Sequence, residues 1–315
     1  MPSSQVHTFA DPGEYAAAIR ATTIDLTVTA RGHFTGKRIR IDLHRLWMQR
    51  LFENKPRTLH SAFVTGRAIV TFPIHPGPAL HWSGAALQPS NIIRHIEGET
   101  AFQRSSGPTS WGAMSLPVAD MISFGAAIAG LDLTPPKDPL FLTPSPIAMA
   151  KVQRLHAAAG HLAEDAREII ADPDAARGLE QALIEALIGC LADGEARENS
   201  LAQGQHAIVM RRFRRVVEVN SGQPVYIPEI CKAIGVSERT LRICCQEHLG
   251  MAPKRYLLLR RMHLARRALC QAAPDAASVT DIAMRYGFWQ LGRFAVEYHS
   301  LFGESPSATL RRQSA

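Results

Sequence analysis

The chain has 315 residues, enough for two domains, and 46% of them are hydrophobic, enough for real cores. No apolar run approaches the roughly 20 residues that span a bilayer. The N-terminus, MPSSQVHTFADPGEY, has no basic stretch followed by an apolar one, so neither a membrane span nor a secretory signal is expected. The net charge of +7 is unevenly placed: residues 201–315 hold 17 Lys+Arg against 8 Asp+Glu, and the first 200 hold 18 against 20. A basic last third on a near-neutral body points to a polyanionic partner for that third, the bland alternative being solubility.

The five cysteines are Cys190, Cys231, Cys244, Cys245 and Cys270. Their odd number, and their absence from the first 189 residues, argue against a disulfide framework and for a reducing, cytoplasmic setting. No metal site is expected. Cys244 and Cys245 are adjacent and lack a ligand cluster, and His33, His44, His60, His75, His81 and His95 show no H-x-H or H-x3-H spacing. G-x-S-x-G, H-E-x-x-H, the P-loop and G-x-G-x-x-G are all missing, so no catalytic residue, cofactor or enzymatic role is expected.

Residues 1–20 read as a short entry segment. From Ile24 to about Val118 short strands follow one another: IDLTV, then KRIRIDL with Ile39, Ile41 and Leu43 at period two, then RLWMQRLF, LHSAFV, AIVTF, NIIRHI and WGAMSLPV. Gly, Pro and Asn clusters separate them. The pattern predicts a β-barrel, cupin-like or sandwich-like domain over residues 1–146, and such a domain can hold one small ligand. Trp47, Phe52, Phe63, Phe72, Trp82, Phe102 and Trp111 either line such a pocket or fill ordinary core.

TPPKDPLFLTPSP closes the β region. Two helices are predicted over 147–171 and 173–192, the second with Leu179, Leu183, Leu187 and Leu191 in a stripe widened by Ile184 and Ile188. They either pack on the β domain or pair with a second copy of the chain. The polar, glycine-containing segment 193–205 is the expected linker.

Residues 206–315 are predicted to be all helical. HAIVMRRFRRVVEVN forms a first helix with Arg211, Arg212, Arg214 and Arg215 around its apolar positions. In IPEICKAIGVSERTLRICCQEHL, a short helix meets Gly235, then Ser237 as N-cap, then a second helix. Arg239 and Arg242 lie on that helix away from Leu241, Cys244, Cys245 and Leu249, as a helix in a major groove requires. A long helix follows, with Pro253 in its first turn. The same grammar returns in VTDIAMRYGFWQLGRFAVEYHSLFG, its Gly287 standing 52 residues after Gly235. Two helix-turn-helices joined by one rigid helix set two readers about one DNA turn apart.

At this point the residues resemble the double helix-turn-helix domain of AraC/XylS transcription regulators. The phrases LGMAPKRYL, RRMHLARRAL, DIAMRYGF and FGESPS carry the likeness, which covers about residues 205–312. FGESPSATL and FW-x-x-GRFA-x-x-Y are most similar to the ethanolamine-operon-regulator branch. The layout of a β-rich sensor followed by helices that dimerise or pack is also similar to this family. The resemblance implies that Arg239, Arg242, Ile243 and Gln246 read DNA in the first unit, and Leu291, Gly292, Arg293 and Val296 in the second. Ile243 and Val296 stand where many relatives carry polar or basic residues, so the second helix looks poorer in polar contacts. Cys245 takes the usual place of a core Phe, and both adjacent cysteines read as small buried hydrophobes or, alternatively, as a redox pair. Arg211, Arg212, Arg214, Arg215, Arg260 and Arg266 either touch phosphates or form a solvated face.

The expectation is therefore a dimeric DNA-binding regulator, an activator rather than a repressor by the resemblance. Its implied partners are double-stranded DNA, RNA polymerase and a small-molecule effector. The alternative is a ligand-independent regulator whose N-terminal domain only dimerises or contacts a protein.

Overall fold

The computed structural model describes residues 1–315 except 75–76, 79, 197–200, 221–222, 274–276 and 313–315, with backbone alone at 201–203. His75 and part of the expected linker 193–205 lie outside the described residues. The N-terminal half holds strands β1 Ser3–Phe9, β2 Thr22–Val28, β3 Gly36–Asp42, β4 Trp47–Glu53, β5 Arg57–Phe63, β6 Arg67–Pro73, β7 Leu80–Trp82, β8 Ala85–Leu87, β9 Ile92–Arg94, β10 Thr100–Ser105, β11 Thr109–Pro117, β12 Leu140–Thr143 and β13 Glu195–Ala196. Helix α1, Pro12–Ala18, follows β1. Helix α2, Val118–Ala129, follows β11. Then come α3 Pro146–Asp165, α4 Arg167–Ala171 and α5 Pro173–Ala192.

The strands form two antiparallel sheets, ordered β1-β3-β4-β11-β6-β9-β12-β13 and β2-β5-β10-β7-β8, and do not close into one barrel. The reason lies in β5. It pairs with β2 and β10, not with its sequence neighbours β4 and β6, so the chain crosses between layers instead of continuing around a ring. Alternation is visible in β3, where Ile39 and Ile41 are buried while Lys37, Arg40 and Asp42 are half-buried; the central strands β5, β6 and β11 are buried nearly throughout. The N-terminal segment, expected as a mere entry, contributes edge strand β1 in full register with β3.

The larger sheet covers the main core. Met48, Val70, Phe72, Met114 and Leu116 meet Met149, Val152 and Ala159 of α3 and Leu183, Leu187 and Leu191 of α5. The wide apolar stripe of α5 is thus consumed within the chain. Glu180 fixes its position, with Oε1 accepting from the N–H groups of Arg45 (2.7 Å) and Leu46 (2.8 Å).

Between the sheets, polar groups are woven into the core. Glu53 accepts from Tyr15 Oη (3.1 Å) and Trp111 Nε1 (3.3 Å), and Glu99 accepts from Trp82 Nε1 (3.2 Å) and contacts His95 Nδ1 (2.9 Å). Of the seven aromatics considered above, Phe63, Phe72, Trp82, Phe102 and Trp111 are buried core. The cavity there, lined by Trp47, Phe63, Thr71 and Trp111, measures only about 20 Å³, room for a water.

Fully buried His156 links α3 to the sheet through Nε2 to Gln49 O (3.1 Å) and Nδ1 to Arg50 (3.0 Å). Burial, and then the Arg50 charge, push its pKa down to about 3. The unfolded chain therefore takes up this proton first, so stability falls as pH drops below about 6.5. Acidifying from pH 6.5 to 5 should remove up to about 2 kcal/mol for this one side chain. Thermal melting across that range should show the loss, and His156→Gln should remove its share of the dependence, leaving the part due to buried His60, His248 and His263.

Candidate nucleic-acid interface

The remaining chain is helical: α6 Leu201–Val219, α7 Ile227–Ile234, α8 Glu238–Leu249, α9 Pro253–Gln271, α10 Val279–Arg285, α11 Leu291–Phe302 and α12 Pro306–Arg311. The two helix pairs share a left-handed glycine turn, and the side-chain cap on the reading helix is found in the first alone. Gly235 ends α7 in the left-handed region at φ 73°, and its N–H and that of Val236 both donate to Cys231 O. Ser237 caps α8 by accepting from Thr240 N at 3.1 Å. In the second unit Gly287 has φ 75°, and the Phe288 N–H donates to Ala283 O at 3.0 Å.

These turns set the fold of the reader. At Gly235 an added Cβ meets nothing within 4 Å, so Gly235→Ala should cost only the left-handed backbone penalty, about 1 kcal/mol. At Gly287 the Cβ would fall 2.9 Å from Arg261 and 3.1 Å from Pro224. Gly287→Ala should therefore lower the melting temperature more than Gly235→Ala, which parallel melts can read.

Each unit has its own core, and α9 joins them. Tyr256 packs with Phe213, Ile230, Ile234, Leu241, Cys244 and Cys245, while Leu259, Met262 and Leu269 pack with Ile282, Phe288, Phe294, Tyr298 and Leu301. One continuous helix thus fixes the separation of the two units. Cys244 and Cys245 are free and fully buried, as small hydrophobes. Burial raises both thiols, Cys244 to about 11, which removes the thiolate that redox chemistry needs.

The reading faces are open. Arg239, Arg242, Ile243 and Gln246 are all exposed on α8, opposite its buried stripe. Leu291, Gly292, Arg293 and Val296 are exposed on α11, with Arg293 held by Glu297 (Nε to Oε1, 2.8 Å). Trp289, 69% exposed at the start of α11, escaped the sequence reading although it stands beside the matched positions.

The six arginines expected at phosphates divide. Arg211, Arg212 and Arg215 are exposed. Arg214, Arg260 and Arg266 are buried in ion pairs and face inward. Asp25 Oδ2 on β2 receives Arg214 (2.7 Å) and Arg260 (3.2 Å), and Arg266 reaches Asp11 (3.1 Å) and Glu304 (2.6 Å). They dock the helical reader on the smaller sheet and on the cap of α1. His263 Nε2 adds a contact to Val28 O at 3.1 Å, and Arg104 Nε donates to Glu247 O at 3.1 Å. Phe102 of β10 enters the core of the first unit.

A cleft of about 740 Å³ opens at this junction, lined by Trp82, Phe102 and Phe141 from the β layers, Met210 and Arg211 from α6, and His248 from α8. Both ring nitrogens of His248 lack a partner among the described residues, and the residue is 2% exposed. Burial lowers its pKa to about 4, so it is neutral at neutral pH.

Paired helices, left-handed glycine turns and an open Arg-bearing face define a DNA-binding double helix-turn-helix. Comparison with known proteins agrees: a family model described as a helix-turn-helix domain matches residues 230–312. The probable thc operon regulatory protein of Rhodococcus erythropolis is 43% identical over 95 residues, 30% of this chain and 29% of its own length. XylDLEGF operon transcriptional activator 3 of Pseudomonas putida is 38% identical over 104 residues, 32% of this chain and 31% of its own. A solved transcriptional regulator from Chromobacterium violaceum, described as having an AraC-type DNA-binding domain, is 25% identical over 35% of this chain and 96% of its own, with a TM-score of 0.32. This C-terminal segment is a helix-turn-helix domain similar to those of the two operon regulators. The matches span about a third of the length of the two operon regulators.

Proposed function

We propose that the chain is a sequence-specific DNA-binding transcription regulator, acting as an activator, whose N-terminal part controls the reader. The observation that carries this is the exposed Arg239–Arg242–Gln246 face on the second helix of a helix-turn-helix, repeated once across a rigid α9, in the segment that holds all the excess positive charge. Double-stranded DNA is the partner, with RNA polymerase and a second copy of the chain as further partners. Residues 1–146 are the control domain, 147–192 its helical support, and 206–315 the reader. The test is selection of bound duplexes from a randomised pool by the full chain. A reproducible sequence supports the proposal; retention without enrichment contradicts it.

Control by a small molecule is part of the same proposal. The space beside Trp47 and Trp111 measures about 20 Å³, and the one at the rim of the two sheets, by Phe52, Pro73 and Leu80, about 260 Å³. The occupant is placed in the larger junction cleft, where neutral His248 sits on the reading helix itself. A ligand there must raise the melting temperature by mass action and alter DNA affinity together. The second reading, a ligand-independent regulator, is favoured by the buried ion pairs that already hold the reader on the sheet. It predicts that no cell metabolite shifts the melt of the intact chain.

A further inference from the structure

We infer that the second reading helix recognises thymine through its 5-methyl group, using an apolar face made by Trp289, Gly292 and Val296. The inference rests on the DNA-binding reading above. It assigns the two readers different chemistry: hydrogen bonding at α8, apolar contact at α11.

Four observations converge on it. First, Phe294, Tyr298, Leu301 and Phe302 bury one side of α11. At 100° per residue Gly292 and Val296 lie on the opposite side, at the centre of the outward face. Second, large apolar side chains just before the helix and on this face are open to solvent: Trp289 is 69% and Val296 71% exposed. Third, a Cβ built on Gly292 meets nothing within 4 Å, so no packing inside the chain requires glycine at this point. A glycine there lets the helix approach an outside surface one methyl group closer. Fourth, Arg293, in an exposed pair with Glu297, is the single cation among the four matched positions of this helix, against two on α8. On α8, by contrast, Arg239, Arg242 and Gln246 supply donors and an acceptor around the one exposed apolar reading position, Ile243.

The major groove offers one methyl group, that of thymine, which stands beside the O4 acceptor; the other bases present donors or acceptors without it. An apolar face pressed on guanine, adenine or cytosine would leave those polar groups dry and unpaired, which is unfavourable. Thymine alone rewards it. The basic segment around α11 supplies the attraction to the duplex, and the helix-turn-helix geometry brings this face to the groove.

The experiment uses the full chain and a duplex selected by it from a randomised pool. The half-site whose sequence changes in Arg239→Ala belongs to α8; the other half belongs to α11. Deoxyuridine then replaces thymidine in the α11 half, removing methyl groups without altering the hydrogen-bonding edge. Affinity should fall about fourfold for each contacted methyl. Val296→Ser combined with Trp289→Ala should bind the two duplexes alike, while melting as the unaltered chain does. Gly292→Ala should weaken binding without lowering the melting temperature. Equal affinity of the unaltered chain for thymidine and deoxyuridine duplexes would overturn the inference, as would an unchanged α11 half-site in the double variant; the apolar face would then belong to a protein partner. Failure of the unaltered chain to select any sequence removes the DNA reading itself, a different result.

Discussion

Asp25→Asn should lower the stability of the docked chain by about 3 kcal/mol, the low end of what breaking a buried ion pair costs. Asp25 holds two cations at once, and their side chains are 8% (Arg214) and 7% (Arg260) exposed. Removing the carboxylate charge leaves Arg260 buried with no counter-ion among its described contacts, while Arg214 keeps Glu218 at 2.8 Å. Because the pair bridges β2 to α6 and α9, the loss falls on the junction. Calorimetry should show the reader separating from the β layers at a lower temperature. Burial by itself would raise the Asp25 pKa, but Arg214 and Arg260 outweigh it and bring it down to about 2. A depressed carboxylate stabilises the fold above its unfolded pKa of about 4, and that contribution is lost as pH falls toward 2. Acid should therefore reproduce the effect of the substitution, and the Asp25→Asn chain should lack this part of the acid dependence. A single unshifted transition in the variant would show that the junction does not depend on this pair.

The second large effect concerns DNA. Arg239→Ala and Arg242→Ala should each cost about 1–3 kcal/mol of discrimination, roughly five- to 150-fold, if each arginine makes a bidentate contact with guanine. Arg293→Ala should cost no more than one such contact, because Arg293 is the single cation among the matched positions of α11. Arg211→Ala and Arg215→Ala should weaken binding evenly across sequences and reduce the salt slope by about one each. Titration at several salt concentrations separates these classes. An Arg239→Ala chain with unaltered selectivity would mean that α8 does not read bases.

The helix-turn-helix units were legible because their local chemistry is directional. Gly235 and Gly287 mark left-handed turns, Ser237 marks a helix start and Pro253 a first turn, and all four act over a few residues. The sheet arrangement was not legible, because pairing β5 with β2 and β10 is a non-local choice that period-two alternation does not encode. Helix α2, Val118–Ala129, was missed: its apolar composition runs straight on from β11, with no cap residue to mark the change. The fate of the arginines was hidden for another reason. Arg211 and Arg214 differ little as residues on one helix, yet one faces solvent and the other meets Asp25, 189 positions away. Helical spacing says which residues share a face, not what that face meets. The same holds for His248, whose unpartnered ring matters only because the β layers close over it.

The central claim is that α8 and α11 together read a duplex, with Arg239 and Arg242 supplying most of the polar recognition. The most direct measurement is a fluorescence-anisotropy titration of the intact chain and its Arg239→Ala/Arg242→Ala variant against the selected duplex and a scrambled one. The unaltered chain should prefer the selected duplex by about a thousandfold or more. The variant, melting normally, should bind both duplexes at nearly the scrambled affinity. A variant that keeps the full preference would contradict the account.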